Sequence, residues 1–164
     1  MLDAAAGLIS DPIVAVATPP GRSALALIRL SGSPGGVDEI LRKSVRLMAS
    51  VPVVPRKVRR FVLIDPDTSE TIDEGLIVRF PGPHSYPGED VVEFSIHGNP
   101  VLVEQALDAL QRAGARAAGP GEFTRRAVIH GKLNLVEAEA VAATIDAESV
   151  QAARLVRRHL GGEL

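Results

Sequence analysis

The chain contains no cysteine. That absence removes disulfide frameworks, thiolate metal sites and cysteine nucleophiles together, and it fits a reducing compartment. Tryptophan is also missing, and aromatic residues make up only 3% of the 164 residues. Any core must therefore be built from Val, Ile, Leu and Ala. Neither sign of charge dominates: 18 Lys and Arg against 20 Asp and Glu leave a formal net charge of -2 at pH 7. This argues against a protein that holds nucleic acid by bulk positive charge. No stretch approaches the roughly 20 apolar residues of a membrane span. Residues 1–10 are mildly apolar, but they carry no basic n-region and are too short for a signal peptide. The expectation is a soluble cytoplasmic protein with no membrane partner. Three phosphate- or acyl-handling signatures are also lacking: the P-loop, Gly-x-Gly-x-x-Gly after a strand, and the Gly-x-Ser-x-Gly elbow.

What is present is a chain that is 46% hydrophobic, enough for a core without covalent staples. Its length suits one domain, or one domain and the start of a second. Basic runs occur at Arg56-Lys57-Val58-Arg59-Arg60, at Arg125-Arg126, and at Arg154 with Arg157-Arg158-His159. Such runs read more readily as solvated faces than as RNA contacts.

Residues 13–17 form a short apolar run closed by Thr18-Pro19-Pro20-Gly21, a buried strand and a rigid turn. A second apolar run covers 23–30. Helical spacing predicts a helix over 37–47, and residues 51–55 form a Pro-broken connector. Residues 60–64 and 75–80 read as strands joined across the acidic turn Asp65-Pro66-Asp67-Thr68. The most loop-like segment, 81–88, leads into an alternating strand over 91–96. Asn99-Pro100 supplies a cap and a first-turn proline for an amphipathic helix over 101–113, stopped by Gly114. Residues 115–118 could add a short strand. Gly119-Pro120-Gly121 then breaks the chain before a helical remainder, in which Asn134 and Glu137 have capping-box spacing. Strands mixed with helices, followed by helix alone, predict an α+β fold with a mixed sheet and flanking helices over 1–121. The opening of a helical domain is expected over 122–164.

Two anomalies point to a site. With period-two alternation, Val92, Phe94 and Ile96 share a core face, while Val91, Glu93, Ser95 and His97 share the other. That second face is either a half-exposed strand surface or a pocket wall, since Gly98 and the preceding Gly-rich loop would let a ligand approach the backbone. Arg29 interrupts a run that otherwise reads as a strand buried on both faces. It is either a structural ion pair, with Glu93 as one candidate partner, or a bidentate anion site. Lys132, after Gly131 at a helical junction, equally suits a helix dipole. Asp90, Glu93 and His97 do not make a metal set, because on a strand Asp90 points away from the other two. Glu89 and Asp90 are poor acid–base partners for the same reason. No catalytic residue and no metal ligand emerges.

Three stretches carry a family resemblance. The first is Ala17-Thr-Pro-Pro-Gly-Arg22, leading to Ile28-Arg-Leu-Ser-Gly32. The second is Phe80-Pro-Gly-Pro-His-Ser-Tyr-Pro-Gly-Glu-Asp-Val-Val-Glu-Phe94, running on to His97-Gly98. The third is Pro120-Gly-Glu-Phe-Thr-Arg-Arg-Ala127, with Gly131-Lys-Leu133 and Glu137-Ala-Glu-Ala140. In order and separation they resemble the N-terminal region of the tRNA modification GTPase MnmE (TrmE) family, from Asp11 onward. The resemblance implies an α+β domain similar to the folate-binding domains of aminomethyltransferases, forming a constitutive homodimer. It implies a one-carbon tetrahydrofolate ligand (5-formyl- or 5,10-methylene-tetrahydrofolate) and a partner, the FAD protein MnmG (GidA). Together these install an aminomethyl-type group at C5 of the wobble uridine of certain tRNAs. GTP, magnesium and potassium belong to a GTPase domain whose motifs this chain lacks, as it lacks the family's Cys-containing tail. The chain is thus expected to be a truncated piece or a fragment of a longer gene, unable to hydrolyse GTP by itself. By motif, the family's folate contacts fall on Arg29, Glu93 and Lys132. His84, Asn99 and His130 stand where the family often has Asn, Gly and Asn. The alternatives are a stand-alone folate-dependent aminomethyltransferase-like enzyme and a dimerisation scaffold without ligand.

Overall fold

A computed structural model describes residues 11–48 and 53–145. The readings made above for 1–10, for part of the 51–55 connector, and for the helical and basic stretches beyond 145 lie outside the described residues. The chain divides into two compact units. One holds the residues up to Ser85 together with Glu89–Pro120, and the other holds Tyr86–Gly88 and the residues from Gly121 on.

In the first unit, seven strands form one sheet: β1 (Ile13–Val16), β2 (Leu25–Gly32), β3 (Val45–Leu47), β4 (Arg59–Ile64), β5 (Thr71–Phe80), β6 (Asp90–His97) and β7 (Arg116–Ala117), in the order β3-β4-β5-β6-β2-β1-β7. Every pairing is antiparallel except that of β7 with β1. The fold is therefore α+β with a mixed sheet, as the mixture of periodicities predicts. Two helices, α1 (Pro34–Ser44) and α2 (Pro100–Ala113), supply Val37, Ile40, Ala106 and Leu110 to a core shared with Ile28, Leu30, Phe61, Ile77, Val92, Phe94 and Ile96. Two of the chain's four phenylalanines meet there, Phe61 and Phe94, with ring centroids 5.4 Å apart. Each such side chain taken fully out of water contributes about 1.5–3 kcal/mol before entropy.

The helix expected over 37–47 is shifted. Ser33 caps it, its side chain accepting from Gly36 N at 3.3 Å, and Pro34 opens it. It ends at Ser44, and Val45–Leu47 then become strand β3 against β4. Pairing with a neighbour overrides helical spacing there. Strand β5 starts at Thr71, earlier than the expected 75, because the chain closes tightly after β4. The Asp65 carboxylate accepts from Asp67 N and Thr68 N, and Asp65 N donates to Glu70 O. Arg112 of α2 clamps the same turn through Asp65 and Asp67. Asn99 caps α2 by accepting from Val101 N at 3.0 Å, and β7 lies parallel to β1 through Arg116 N to Pro12 O, 2.8 Å.

The second unit contains α3 (Glu122–Ile129) and α4 (Leu135–Ile145). Helix α3 ends in a Schellman motif: Gly131 is left-handed at φ 66, its N–H reaches Val128 O at 3.0 Å, and Lys132 N reaches Ala127 O at 2.8 Å. The capping box at α4 is reciprocal, with Asn134 N to Glu137 Oε2 at 2.7 Å and Glu137 N to Asn134 Oδ1 at 2.9 Å.

A Cβ at Gly75 would stand 2.1 Å from the Ser95 carbonyl oxygen and 3.2 Å from the Phe61 ring. Gly75→Ala is expected to lower unfolding stability by about 1–3 kcal/mol in urea denaturation. Arg112, with the N–H groups of Thr68 and Asp67, holds the Asp65 carboxyl well below the usual carboxylate range. A carboxyl whose folded pKa lies below its unfolded value stabilises above the unfolded pKa, and that contribution fades as pH falls toward the folded one. The stability difference between the wild-type chain and Arg112→Met should therefore shrink as the pH is lowered from 7 toward about 2, read from urea midpoints.

Candidate functional site

β2 and β6 lie side by side within the sheet, and their register places Arg29 opposite Glu93. On the same two strands Ala26 faces Ile96, Ile28 faces Phe94 and Leu30 faces Val92, all buried against the helices. Residues directly opposite share a face, so Arg29 and Glu93 project from the other side of the sheet. The Arg29 guanidinium donates from Nε at 3.0 Å and from Nη2 at 2.6 Å, both to Glu93 Oε1. The side chains are 26% and 20% exposed. The expectation that β2 is buried on both faces is corrected for its first six residues: over Leu25–Leu30 burial alternates, and Leu25 is 62% exposed. A guanidinium is tolerated because this face keeps access to water and an acidic partner stands in register.

Both Arg29 nitrogens converge on one oxygen, which leaves Glu93 Oε2 with no hydrogen-bond donor among the described residues. Ala15 of β1 lies opposite Arg29, and Val78 of β5 lies opposite Glu93. The pair thus sits between small and apolar neighbours, with an unengaged carboxylate oxygen. Along the same face of β6 follow Ser95 and His97.

His97 belongs to a pair that sequence reasoning missed. Asp73 of β5, with a side chain only 8% exposed, accepts from His97 N at 2.9 Å and contacts the ring Nδ1 at 2.8 Å. The imidazole itself is 67% exposed. Nothing local marks Asp73, which sits inside an alternating strand and meets His97 only through the pairing of β5 with β6. Asp90 faces the helix side, where it accepts from Arg79 and from Gly82 N, and Arg79 also reaches Asp38 of α1. Glu89 accepts from Ser31 Oγ at 2.8 Å. No group of three potential metal-binding side chains occurs among the described residues. Gly98 serves a different purpose from the one expected. A Cβ there would meet Ser23 Oγ at 2.1 Å and Ser23 O at 2.5 Å, so it admits the β1–β2 loop. Lys132 is exposed and lies in the second unit, where His130 Nδ1 contacts Pro87 O at 2.7 Å.

Asp73→Ala removes a buried carboxylate that accepts from two partly buried backbone donors, His97 N and Glu74 N. A loss of about 1–3 kcal/mol is expected in urea unfolding, whereas His97→Ala, which deletes a mostly exposed ring, should stay within about 1 kcal/mol of wild type.

The sequence over residues 12–132 matches the family model described as the N-terminus of the GTP-binding protein TrmE. The chain is 46% identical to a tRNA modification GTPase MnmE of Aquifex aeolicus over 94% of its own length and 33% of that protein's. It is 44% identical to the MnmE of Thermus thermophilus, over 95% of this chain and 36% of that one. For the MnmE of Halorhodospira halophila the identity is 46%, over 93% and 31%. The chain spans about a third of the length of these curated relatives. Among its described residues no helix is long and apolar enough to cross a membrane. With the motif-bearing strands β2 and β6 both inside the matched region, the chain belongs to the MnmE (TrmE) family of tRNA modification GTPases and corresponds to that family's N-terminal domain.

Proposed function

We propose that this domain binds a one-carbon derivative of tetrahydrofolate and forms a homodimer. In that state it serves, with MnmG, the machinery that modifies C5 of the wobble uridine in tRNA. The observation that carries the reading is the Arg29–Glu93 pair: a largely buried carboxylate fixed on a strand, with one oxygen satisfied by arginine and the other unengaged among the described residues. A pterin presents a ring N–H beside an exocyclic amine, and a carboxylate is the natural acceptor for that donor pair. Glu93 would accept from the pterin edge, Arg29 would hold Glu93 oriented, and the ligand's anionic tail would call for a cation. Lys132 enters as that cation by motif alone. Bound tetrahydrofolate would supply an activated one-carbon unit, while this chain's own residues bind and orient it.

Isothermal titration with 5-formyltetrahydrofolate tests the assignment directly. Charge-assisted hydrogen bonds are worth about 1.5–3 kcal/mol, so Glu93→Gln should weaken binding by roughly 10- to 100-fold, and Arg29→Ala should abolish it. Unchanged affinity in Glu93→Gln would sink the pterin-edge assignment. A well-folded dimer, by light scattering, that binds no folate would reduce the domain to a dimerisation scaffold.

A further inference from the structure

On the helix side of the sheet, away from Arg29 and Glu93, a cleft of about 430 Å³ opens between the β1–β2 loop and the N-terminal half of α2. Its volume falls in the range of small-molecule pockets. Val16 and Ala26 from the sheet, Pro19 and Pro20 from the loop, and Val103 and Leu107 from α2 make its walls apolar. The loop is tied down at both ends, by Ala17 N to Leu27 O at 2.7 Å and Ser23 N to Gly98 O at 3.0 Å. The cleft is therefore preformed, and little ordering would be needed on binding.

Its polar groups are nearly all committed. Thr18 Oγ1 accepts from Leu27 N at 3.2 Å, and Ser23 Oγ donates to Leu25 O at 2.6 Å. Asn99 caps α2 by accepting from Val101 N. The remaining charge is Glu104, the one ionisable side chain among the lining residues, exposed at the cleft. Among the described residues it has neither an ion pair nor a side-chain hydrogen bond, and the loop's Arg22 does not pair with it. A wall that is apolar apart from the committed hydroxyls of Thr18 and Ser23, with one carboxylate that has no ion pair, complements a ligand of opposite design: a hydrocarbon or aryl body carrying a single cation.

We propose that this cleft binds an apolar primary ammonium, its carbon skeleton against Val16, Val103 and Leu107 and its charge on Glu104. The site is separate from the Arg29–Glu93 pair and does not depend on the folate reading. Titration of the methyl-labelled full chain with phenethylammonium chloride, followed by NMR, tests it. 2-Phenylethanol and phenylacetate serve as neutral and anionic isosteres. Saturable shifts confined to the Val16, Val103 and Leu107 methyls are expected. Affinity should fall at least 10-fold for the alcohol, for phenylacetate, and for the ammonium probe on Glu104→Gln, and should be unchanged on Glu93→Gln. Glu104 is exposed, so its variant should fold. Equal binding of ammonium and alcohol, undiminished binding by Glu104→Gln, or shifts centred elsewhere would overturn the proposal. Shifts that follow protein concentration and not the probe would also overturn it, by naming a second copy of the chain as the occupant.

Discussion

The registration of β2 against β6 governs the rest of this domain. Both strands lie inside the sheet, and each divides its residues between a helix-covered face and a face that retains water around Arg29 and Glu93. In the observed register Ile28 meets Phe94 and Leu30 meets Val92 under the helices, while Arg29 meets Glu93 on the other side. A slip of one residue would turn the guanidinium into the core and expose two fully buried apolar side chains. The ion pair and the apolar layer therefore specify the same alignment from opposite faces. A partly exposed pair of this kind contributes modestly to stability, and its stronger effect is on which register is allowed.

Close backbone approaches set the edges of that arrangement. Gly75 admits the Ser95 carbonyl, and Gly98 admits Ser23 of the β1–β2 loop. The second approach pins the loop that forms one wall of the apolar cleft, and a larger residue at Gly98 would lift the loop away. Charge placement follows the same economy. Arg79 is shared by Asp90 and Asp38 and joins β5, β6 and α1; Arg112 gathers Asp65, Asp67 and Asp108 at the end of α2. These arginines are consumed by structure. Arg29 is engaged too, yet its partner keeps one oxygen open.

The sheet consequently offers two different chemical surfaces. One carries a fixed, partly buried carboxylate–guanidinium pair suited to a ligand with paired donors. The other ends in an apolar cleft with a lone carboxylate at its lining. Membership of the MnmE family gives the first surface its natural interpretation. The second has no part in that interpretation and rests on the cleft's own composition.

Much of the domain was legible in the residues themselves. Period-two alternation marked β6, Asn99-Pro100 marked the start of α2, and Asn134 with Glu137 marked the box that opens α4, because each signal is complete within a few residues. Arg29 and Glu93 stood out as charges in apolar strands, and their mutual pairing was one of two open readings. Other features needed the tertiary structure. Val45–Leu47 carries a helical pattern but becomes a strand because β4 offers hydrogen-bond partners. Asp73 finds His97 only across a strand pairing, and Gly98 answers to a serine 75 residues away in the chain. The sequence by itself determined most of the elements, the caps of α2 and α4, and the family, all of which rest on local spacing. Only the fold decided which face of β2 stays wet, which charges are consumed and where a cleft remains, since each of these depends on contacts between segments far apart in the chain.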